Sequence, residues 1–427
     1  MLIFFCALAE TPDESESIMA NGNTNLTAAM RAKNDEFYTQ YADIEKEINA
    51  YIEFNPDVFR GKTILLPCDD PEWSNFTKYF AQNFDTFGLK KLISTSFAEE
   101  SKNYQGNYQP TLFEKRDPQF DKKKTRVKGK IFTLDRDTNK DGKIDVEDLD
   151  WKYLDGDGDF RSKEIKKLRD KADIIITNPP FSLFREFLAW IVQAKKQFLI
   201  IGNINCITYK EVFPEIKANR IWLGNGMGRW ISGFLVPEGY ELYGTEARID
   251  EEGNRIVATN SALWLTNLEH GRRHQPLPLM TMDDNLRFSK HKEIKGKESY
   301  DTYDNYDAID VPFTDAIPSD YDGVMGVPIS FLDKYSPEQF DIVGLTSGRD
   351  EFECRPTKRY INPKQHNKNG TVGNGSKANT RSTIRLKSIP KGEIYYTADN
   401  ADGPLAVLYA RILIRRKEGT DSNENNT

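Results

Sequence analysis

The chain has 427 residues, a hydrophobic fraction of 38%, a charged fraction of 29% and a formal net charge of −7. This length and composition predict a soluble chain with room for two domains, and the charge balance does not by itself indicate a nucleic-acid-binding protein. No apolar run approaches the ~20 residues of a membrane helix, which argues against a membrane protein. The four cysteines lie far apart and form no metal or redox pair, which predicts free thiols in a reducing cytoplasm.

The first 30 residues predict a flexible tail, and their apolar stretch, residues 2–8, lacks the basic leader of a signal peptide. The first predicted helix covers residues 42–54, because its apolar side chains recur on one face at helical spacing. It follows the segment Phe37-Tyr38-Thr39. The local pattern there is also typical of a helix cap with an aromatic staple.

A strand is predicted over residues 61–68, followed by Asp69, Asp70 and a helix over residues 73–84. This is the order of the first strand, turn and helix of a nucleotide-binding sheet, although two carboxylates and a proline replace the glycine-rich turn. Carboxylates at a strand end can pair with an ammonium group or a ribose hydroxyl; the alternative is that one of them caps the helix. The next strand, residues 89–96, ends without the usual ribose-binding acid, so one of these two carboxylates is the candidate substitute.

A polar, lysine-rich insertion over residues 98–130 precedes an EF-hand-like segment, residues 131–150. The loop within that segment, residues 137–148, follows the calcium-loop pattern, with Gly142 at the sharp turn. Its closing residue is Asp148 instead of the longer Glu, which predicts weakened binding. The alternative is an acidic turn that folds without metal. The predicted calcium ligands are Asp137, Asn139, Asp141, Lys143 and Asp148.

The segment 174–177 predicts a strand covered on both faces, because four β-branched residues follow one another. It ends at Asn178, where Pro179 and Pro180 stop strand pairing and stiffen the turn. The Asn side chain and the carbonyl of the proline after it are two acceptors for one amino group. Phe181 offers a flat face on which a base can stack. The alternative is a plain turn that closes an ordinary strand.

Helix 183–194 and strand 198–202 continue an alternation of strands and helices. This alternation predicts an α/β fold with a parallel, doubly wound sheet in a catalytic domain of residues 31–225. Glycines, aromatics and alternating segments then predict a second, mixed and largely β domain, residues 226–417. Residues 418–427 are predicted to form a tail.

The second predicted domain carries two opposite runs of charge. Residues 300–322 contain seven Asp and neither Lys nor Arg, whereas residues 355–391 contain ten Lys or Arg and no acid. The basic run has the composition of a flexible arm that binds nucleic acid by displacing counterions. The alternatives are a solvated loop, or a fold in which the two runs neutralise one another.

These segments together resemble the EcoRI-type adenine-specific DNA methyltransferases, from about residue 30 to about residue 350. Asn178-Pro179-Pro180-Phe181 resembles motif IV of the amino-methyltransferases, and Phe37-Tyr38-Thr39 resembles motif X. Asp159-Phe160 resembles motif III, which lies beside the cofactor adenine; a plain acidic turn is the alternative for this pair.

The resemblance implies a Rossmann-like methyltransferase sheet and a target-recognition domain. It implies methyl transfer from S-adenosylmethionine to the exocyclic amino group of an adenine that has left double-stranded DNA, in a system that includes a cognate restriction endonuclease. The implied catalytic residues are Asn178, Pro179, Pro180 and Phe181. The implied cofactor-binding residues are Thr39, Cys68, Asp69, Asp70, Asp159, Phe160 and Asn178. The alternatives are an RNA amino-methyltransferase and an inactive, calcium-stabilised DNA-binding protein.

Overall fold

The structure, a computed structural model, shows a mixed α/β protein with several sheets. It describes residues 38–69, 74–98, 117–227, 231–236, 242, 247–257, 261–348, 352 and 354–417. The predicted tails, residues 1–30 and 418–427, lie outside these ranges, as does Asp70. None of the described helices is both long and apolar enough to cross a bilayer.

Eight α-helices are present in the described ranges. They are α1 (Tyr41–Phe54), α2 (Asn75–Gln82), α3 (Phe84–Phe87), α4 (Lys122–Val127), α5 (Lys163–Lys171), α6 (Phe184–Gln193), α7 (Phe213–Lys217) and α8 (Met282–Phe288).

The strands of the first half of the chain are β1 (Tyr38–Thr39), β2 (Thr63–Leu66), β3 (Lys91–Ser96), β4 (Lys130–Leu134), β5 (Asp150–Tyr153), β6 (Ile174–Thr177), β7 (Gln197–Asn203), β8 (Trp222–Met227), β9 (Phe234–Val236), β10 (Arg248–Ile249), β11 (Arg255–Val257) and β12 (Ala262–Thr266). The later strands are β13 (Ile309–Asp310), β14 (Met325–Pro328), β15 (Phe340–Leu345), β16 (Lys364–His366), β17 (Val372–Asn374), β18 (Thr383–Arg385), β19 (Tyr395–Thr397), β20 (Leu405–Val407) and β21 (Arg411–Arg416).

The largest sheet has eight strands in the order β5-β4-β3-β2-β6-β7-β12-β8. Strands β3, β2, β6 and β7 are parallel, whereas β4 and β5 pair antiparallel beside β3. Every residue of β2 and β6 is buried. The predicted strand at 174–177 is therefore confirmed, and its burial explains why it consists of β-branched residues with no polar face.

Residue contacts divide the chain into two units. The first comprises residues up to Ile48, Asp57–Asn203 and Gly226–Trp264, and the second comprises Asn49–Pro56, Ile204–Asn225 and the chain from Leu265 onward. This division differs from the predicted boundary at residues 225/226. The difference arises in part because β12 joins the eight-stranded sheet, and β9, β10 and β11 form a small sheet with β1, instead of a separate β domain. The recognition role predicted for residues 226–417 stays a prediction.

Besides six strands of the large sheet, the first unit contains the small sheet β1-β9-β11-β10, which is antiparallel throughout. The second unit contains a four-stranded sheet, β13-β14-β21-β15, and a five-stranded antiparallel sheet, β17-β16-β19-β20-β18. The five-stranded sheet covers a small core of Tyr360, Ala378, Tyr396 and Leu405.

The basic run is folded, so the prediction of a flexible arm over residues 355–391 was wrong. Three strands, β16, β17 and β18, lie within it. The acidic run supplies part of the reason: the carboxylate of Asp304 accepts from Lys358 at 3.1 Å and from Arg385 at 2.9 Å. The Tyr360 hydroxyl donates to the same carboxylate at 2.7 Å. Mutual neutralisation, one of the alternatives considered, thus holds at this point of the second unit.

Candidate active site

The carboxyl ends of β2, β3 and β6 meet at one edge of the sheet, because these three neighbouring strands are parallel. Cys68 and Asp69 follow β2, and Asn178 follows β6. The Thr177 hydroxyl, at the last position of β6, donates to the Pro67 carbonyl at 2.7 Å and ties the two strand ends together. Open α/β sheets bind ligands at this edge. We call it the catalytic edge.

The turn after β6 holds Asn178 at the sheet edge, with its side-chain oxygen buried. Asn178 is half-buried between the buried Thr177 and Pro179, so it does not lie in a filled core. A 3-10 turn begins at Phe181, and the Leu183 amide donates to the Pro180 carbonyl at 3.0 Å. Two prolines and this hydrogen bond restrict the backbone around the amide side chain.

Phe181 is only 8% exposed, which the sequence alone did not predict. Its ring packs edge to face against Phe234 of β9, with the ring centroids 6.2 Å apart. The stacking role predicted for this residue stays a prediction. Phe234, which sequence reasoning missed, carries no local signal, because its partner lies more than fifty residues away in the chain.

The loop after β2 is held by hydroxyl groups. Asp69 is buried, and its carboxylate accepts from the Ser74 hydroxyl at 2.7 Å. Ser74 is also the N-cap of α2, because its Oγ accepts from the Phe76 amide. The Ser94 hydroxyl of β3 donates to the backbone carbonyl of Asp69. The alternative that Asp69 caps the helix is therefore wrong.

The hydroxyls at the end of β3 explain why no acid stands there. Ser94 positions the neighbouring turn, whereas the local sequence shows only that the usual acid is missing from this strand end. The turn itself is tight at Cys68, whose φ of +67° lies in the left-handed region that favours glycine. A non-glycine residue thus holds the conformation that a glycine-rich turn would otherwise supply.

Thr39 joins this region through its backbone. Its carbonyl accepts from the Asn75 side chain at 2.9 Å, and in the β1–β9 ladder Thr39 lies opposite Phe234, the residue that packs on Phe181. Thr39 is 2% exposed, and among the described residues its hydroxyl has no hydrogen-bond partner. The carbonyl that begins helix α1 is that of Gln40, so the Thr39 side chain does not cap it.

Replacing Thr39 by Val should separate ligand binding from folding. A buried hydroxyl without a partner costs roughly 1–3 kcal/mol in desolvation, so its removal should leave the melting temperature of the free protein unchanged or raise it. If the hydroxyl contacts a bound ligand, the same change should weaken cofactor binding by about tenfold. Calorimetry gives both numbers. A lower melting temperature with unchanged cofactor binding would contradict the assignment.

The structure places the Asp159-Phe160 segment beside the end of β3. The Asp157 carbonyl accepts from the Ala98 amide at 2.8 Å. Phe160 is fully buried and packs on Phe187 and Trp190, with ring centroids 5.0 and 5.7 Å away. Its contacts are therefore those of a core residue, and its predicted place beside the cofactor adenine is untested.

The Asp159 carboxylate forms an ion pair with Arg161, two residues further along the chain. Arg161 donates to both of its oxygens, at 2.6 to 3.1 Å, and also reaches Glu186 at 3.2 Å. Burial opposes ionisation of Asp159, but the hydrogen bonds from Arg161 outweigh it and lower the pKa of the carboxyl. The residue is therefore a carboxylate at neutral pH, able to accept further hydrogen bonds.

The EF-hand-like loop lies at the opposite edge of the sheet. It joins the end of β4 to the start of β5, and β4 ends beside the start of β3, where Leu134 pairs with Leu92. Both oxygens of the Asp148 carboxylate already accept hydrogen bonds, from Thr138 and Asn139 on one oxygen and from the Asp145 amide on the other. The described residues include no group of three His, Cys, Asp or Glu side chains placed to hold a metal.

Three of the remaining predicted ligands also accept hydrogen bonds from backbone amides. Asp137 accepts from the Gly142 amide at 2.9 Å, Asn139 from Asp141, and Asp141 from Lys143. The loop is thus closed by its own hydrogen bonds, among them those that the Asp148 carboxylate accepts from the backbone. The predicted set of calcium ligands stays a prediction.

Sequence comparison gives three close relatives. Type II methyltransferase M.EcoRI of Escherichia coli is 48% identical over 335 residues, which are 78% of this chain and 93% of the relative. Type II methyltransferase M.MpnI of Mycoplasma pneumoniae is 32% identical over 78% of this chain and 89% of the relative. Type II methyltransferase M.MgeORF184P of Mycoplasma genitalium is 34% identical over 75% of this chain and 85% of the relative. No solved structure matches the chain.

The family described as "Adenine-specific methyltransferase EcoRI" matches residues 25–417, which is most of the chain. That span includes the catalytic edge and most of both contact units. It agrees with the resemblance inferred from the motifs around Thr39, Asp69 and Asn178. The chain therefore belongs to the EcoRI family of adenine-specific methyltransferases.

Proposed function

We propose that this chain transfers a methyl group from S-adenosylmethionine to the exocyclic amino group of an adenine in double-stranded DNA. The observation that carries the proposal is the convergence of Asn178, Asp69 and Thr39 around the catalytic edge. We assign the cofactor to the β2 side of this edge, where Asp69 and Thr39 supply a buried carboxylate and a buried hydroxyl. When bound, the cofactor supplies an electrophilic methyl group.

The residues after β6 would prepare the nucleophile. The Asn178 side-chain oxygen and the Pro179 carbonyl are two acceptors for the two protons of an adenine amino group. Accepting both protons draws the nitrogen lone pair out of conjugation with the ring and toward the methyl donor. The amine then loses one proton to water after transfer. Positioning is most of the catalysis, because two bound reactants react as one.

A paired adenine cannot reach Asn178, so the target base must leave the duplex. Stacking against an aromatic residue would offset part of the unstacking cost, and Phe181 is the candidate if its ring turns away from Phe234. The relatives are named as type II methyltransferases, the modification enzymes of restriction–modification systems. We extend that role to this chain, with a cognate endonuclease as the expected partner.

We further propose that the first unit forms a Rossmann-like cofactor domain and the second unit reads DNA. The parallel order β3-β2-β6-β7 supports the first assignment. Exposed cations on the folded basic run, such as Lys364 and Lys368 at the β16–β17 hairpin, support the second. The cytoplasmic location stays a prediction from cysteine usage.

Methyl transfer from labelled cofactor to duplex DNA and to structured RNA tests the proposal. We expect incorporation into DNA alone, in the form of N6-methyladenine at one short sequence. Sequencing of methylated bases in DNA from expressing cells would identify that sequence. Incorporation of the label into RNA would favour the alternative of an RNA amino-methyltransferase. No transfer to either substrate, with cofactor binding intact, would favour the inactive DNA-binding alternative.

Calcium should have little effect on this protein. We propose that the loop over residues 137–148 is held by its own hydrogen bonds, and we expect equal melting temperatures in calcium and in chelator. Burial would raise the pKa of Asp148, but hydrogen bonds from Asn139, Thr138 and Asp145 lower it to about 2. The Asp148 carboxylate therefore stabilises the folded protein fully above the unfolded-state pKa of about 3.9. This stabilisation is lost as the pH falls through about 2.

Asp148→Asn is the matched variant, because it replaces one acceptor oxygen by a donor that faces a backbone amide. It should lower the melting temperature at pH 7 by the same amount with and without calcium. A calcium-dependent rise in the melting temperature of the parent chain, lost in this variant, would restore the calcium-site prediction.

A further inference from the structure

A strongly cationic helix stands apart from the residues assigned above. Helix α4 has the sequence Lys-Lys-Lys-Thr-Arg-Val, and Asp121 caps it by accepting from two backbone amides. Lys122 and Lys123 are exposed, and neither forms an ion pair with any described residue. The cations of this helix and the residue after it are Lys122, Lys123, Lys124, Arg126 and Lys128.

The topology brings α4 to the catalytic edge. Strand β4 follows α4 directly and runs antiparallel to β3, so that Lys130 at its start pairs with Ser96 at the end of β3. The end of β3 is the edge at which Asp69 and Asn178 also lie, because β2, β3 and β6 are parallel. A helix that ends two or three residues before Lys130 therefore lies at that same edge.

The helix is also fixed in place. The Tyr153 hydroxyl accepts from the Asp121 amide at 3.0 Å and bonds the Thr125 hydroxyl at 2.8 Å. Gly129 packs so closely on the end of β3 that a Cβ there would lie 2.4 Å from the Ser96 carbonyl oxygen. The cations of α4 thus project from a rigid base instead of a loose loop.

We propose that α4 binds the DNA phosphates that flank the target adenine. This inference rests on the proposed function. S-adenosylmethionine carries no phosphate and is itself a sulfonium cation, so a cluster of ammonium groups does not serve the cofactor. DNA is the polyanion that must approach this edge, and neutralising its phosphates releases counterions. The helix therefore anchors the strand while the base is out of the stack.

The test compares two double variants of the full-length chain. Lys122→Gln with Lys123→Gln removes two charges from α4. Lys90→Gln with Lys195→Gln removes two exposed charges from the same unit at the opposite edge, just before β3 and β7. Neither pair includes a residue that is assigned to binding the cofactor or to orienting the adenine amino group. Both pairs should keep the melting temperature and the cofactor affinity of the parent chain.

We expect the α4 double variant to weaken duplex binding by roughly tenfold or more at ~0.1 M salt. It should also make the slope of the logarithm of the DNA-binding constant against the logarithm of the salt concentration shallower by about two, because each lost phosphate contact removes ~0.9. The opposite-edge pair should leave both values unchanged. Equal losses of DNA affinity in the two double variants would show a general attraction between the positive charges and DNA, and would overturn the inference. No loss of DNA affinity in either double variant would overturn it as well. Since methylation of DNA by the parent chain is measured first, such a failure leaves the proposed function standing.

Discussion

Changing Asn178 to Ala should reduce methyl transfer to DNA by about a hundredfold to a thousandfold or more, with little change in DNA affinity. A preorganised polar group that acts on the reacting atoms is typically worth that much in rate. The side chain is half-buried on a stiff turn after β6, so its loss removes an acceptor without opening a core cavity. Single-turnover assays with labelled cofactor would measure the rate directly.

The control is Asn178→Asp, which keeps an acceptor oxygen at the same place. It should retain part of the activity that the Ala variant loses, because the amine can still donate to a carboxylate. Binding to duplex DNA should be near that of the parent chain in the Ala variant. If the Ala variant methylates DNA at the parent rate, Asn178 is not the residue that orients the amine, and the assignment of the turn fails.

The second large effect concerns stability. Gly158 has a φ of +91°, and a Cβ there would lie 2.3 Å from the Ser96 carbonyl oxygen. Gly158→Ala therefore combines backbone strain with a clash against backbone, and should lower the free energy of unfolding by roughly 2–4 kcal/mol. If Asp159 contacts the cofactor, as the family resemblance implies, cofactor binding should weaken as well. Urea unfolding and calorimetry measure the two effects.

Gly156 provides a matched control two residues earlier in the same loop. It is exposed, its φ is not in the left-handed region, and a Cβ there would meet nothing within 4 Å. Gly156→Ala should therefore change stability by no more than about 0.5–1 kcal/mol, and can be stabilising. Equal effects in the two variants would mean that the loop does not pack on β3 as described.

Sequence alone determined the features whose causes are local. Four β-branched residues before two prolines predicted the buried strand and rigid turn at Asn178, and the structure has that strand over Ile174–Thr177. The alternation of strands and helices likewise predicted the parallel strands around β6, because periodicity and turn chemistry act over a few residues. The family resemblance rested on the same local segments.

Tertiary structure decided what distant residues do for one another. The Asp69 turn is held by Ser94 of the next strand, and Phe181 is covered by Phe234 from a separate sheet. The loop with the calcium-binding pattern is closed by its own hydrogen bonds, because Asp148 accepts from the backbone amides of Thr138 and Asp145. The basic run is folded into a sheet, and Asp304, from an earlier part of the chain, neutralises part of its charge. Such pairings depend on which side chains the fold brings together, and no local pattern encodes that.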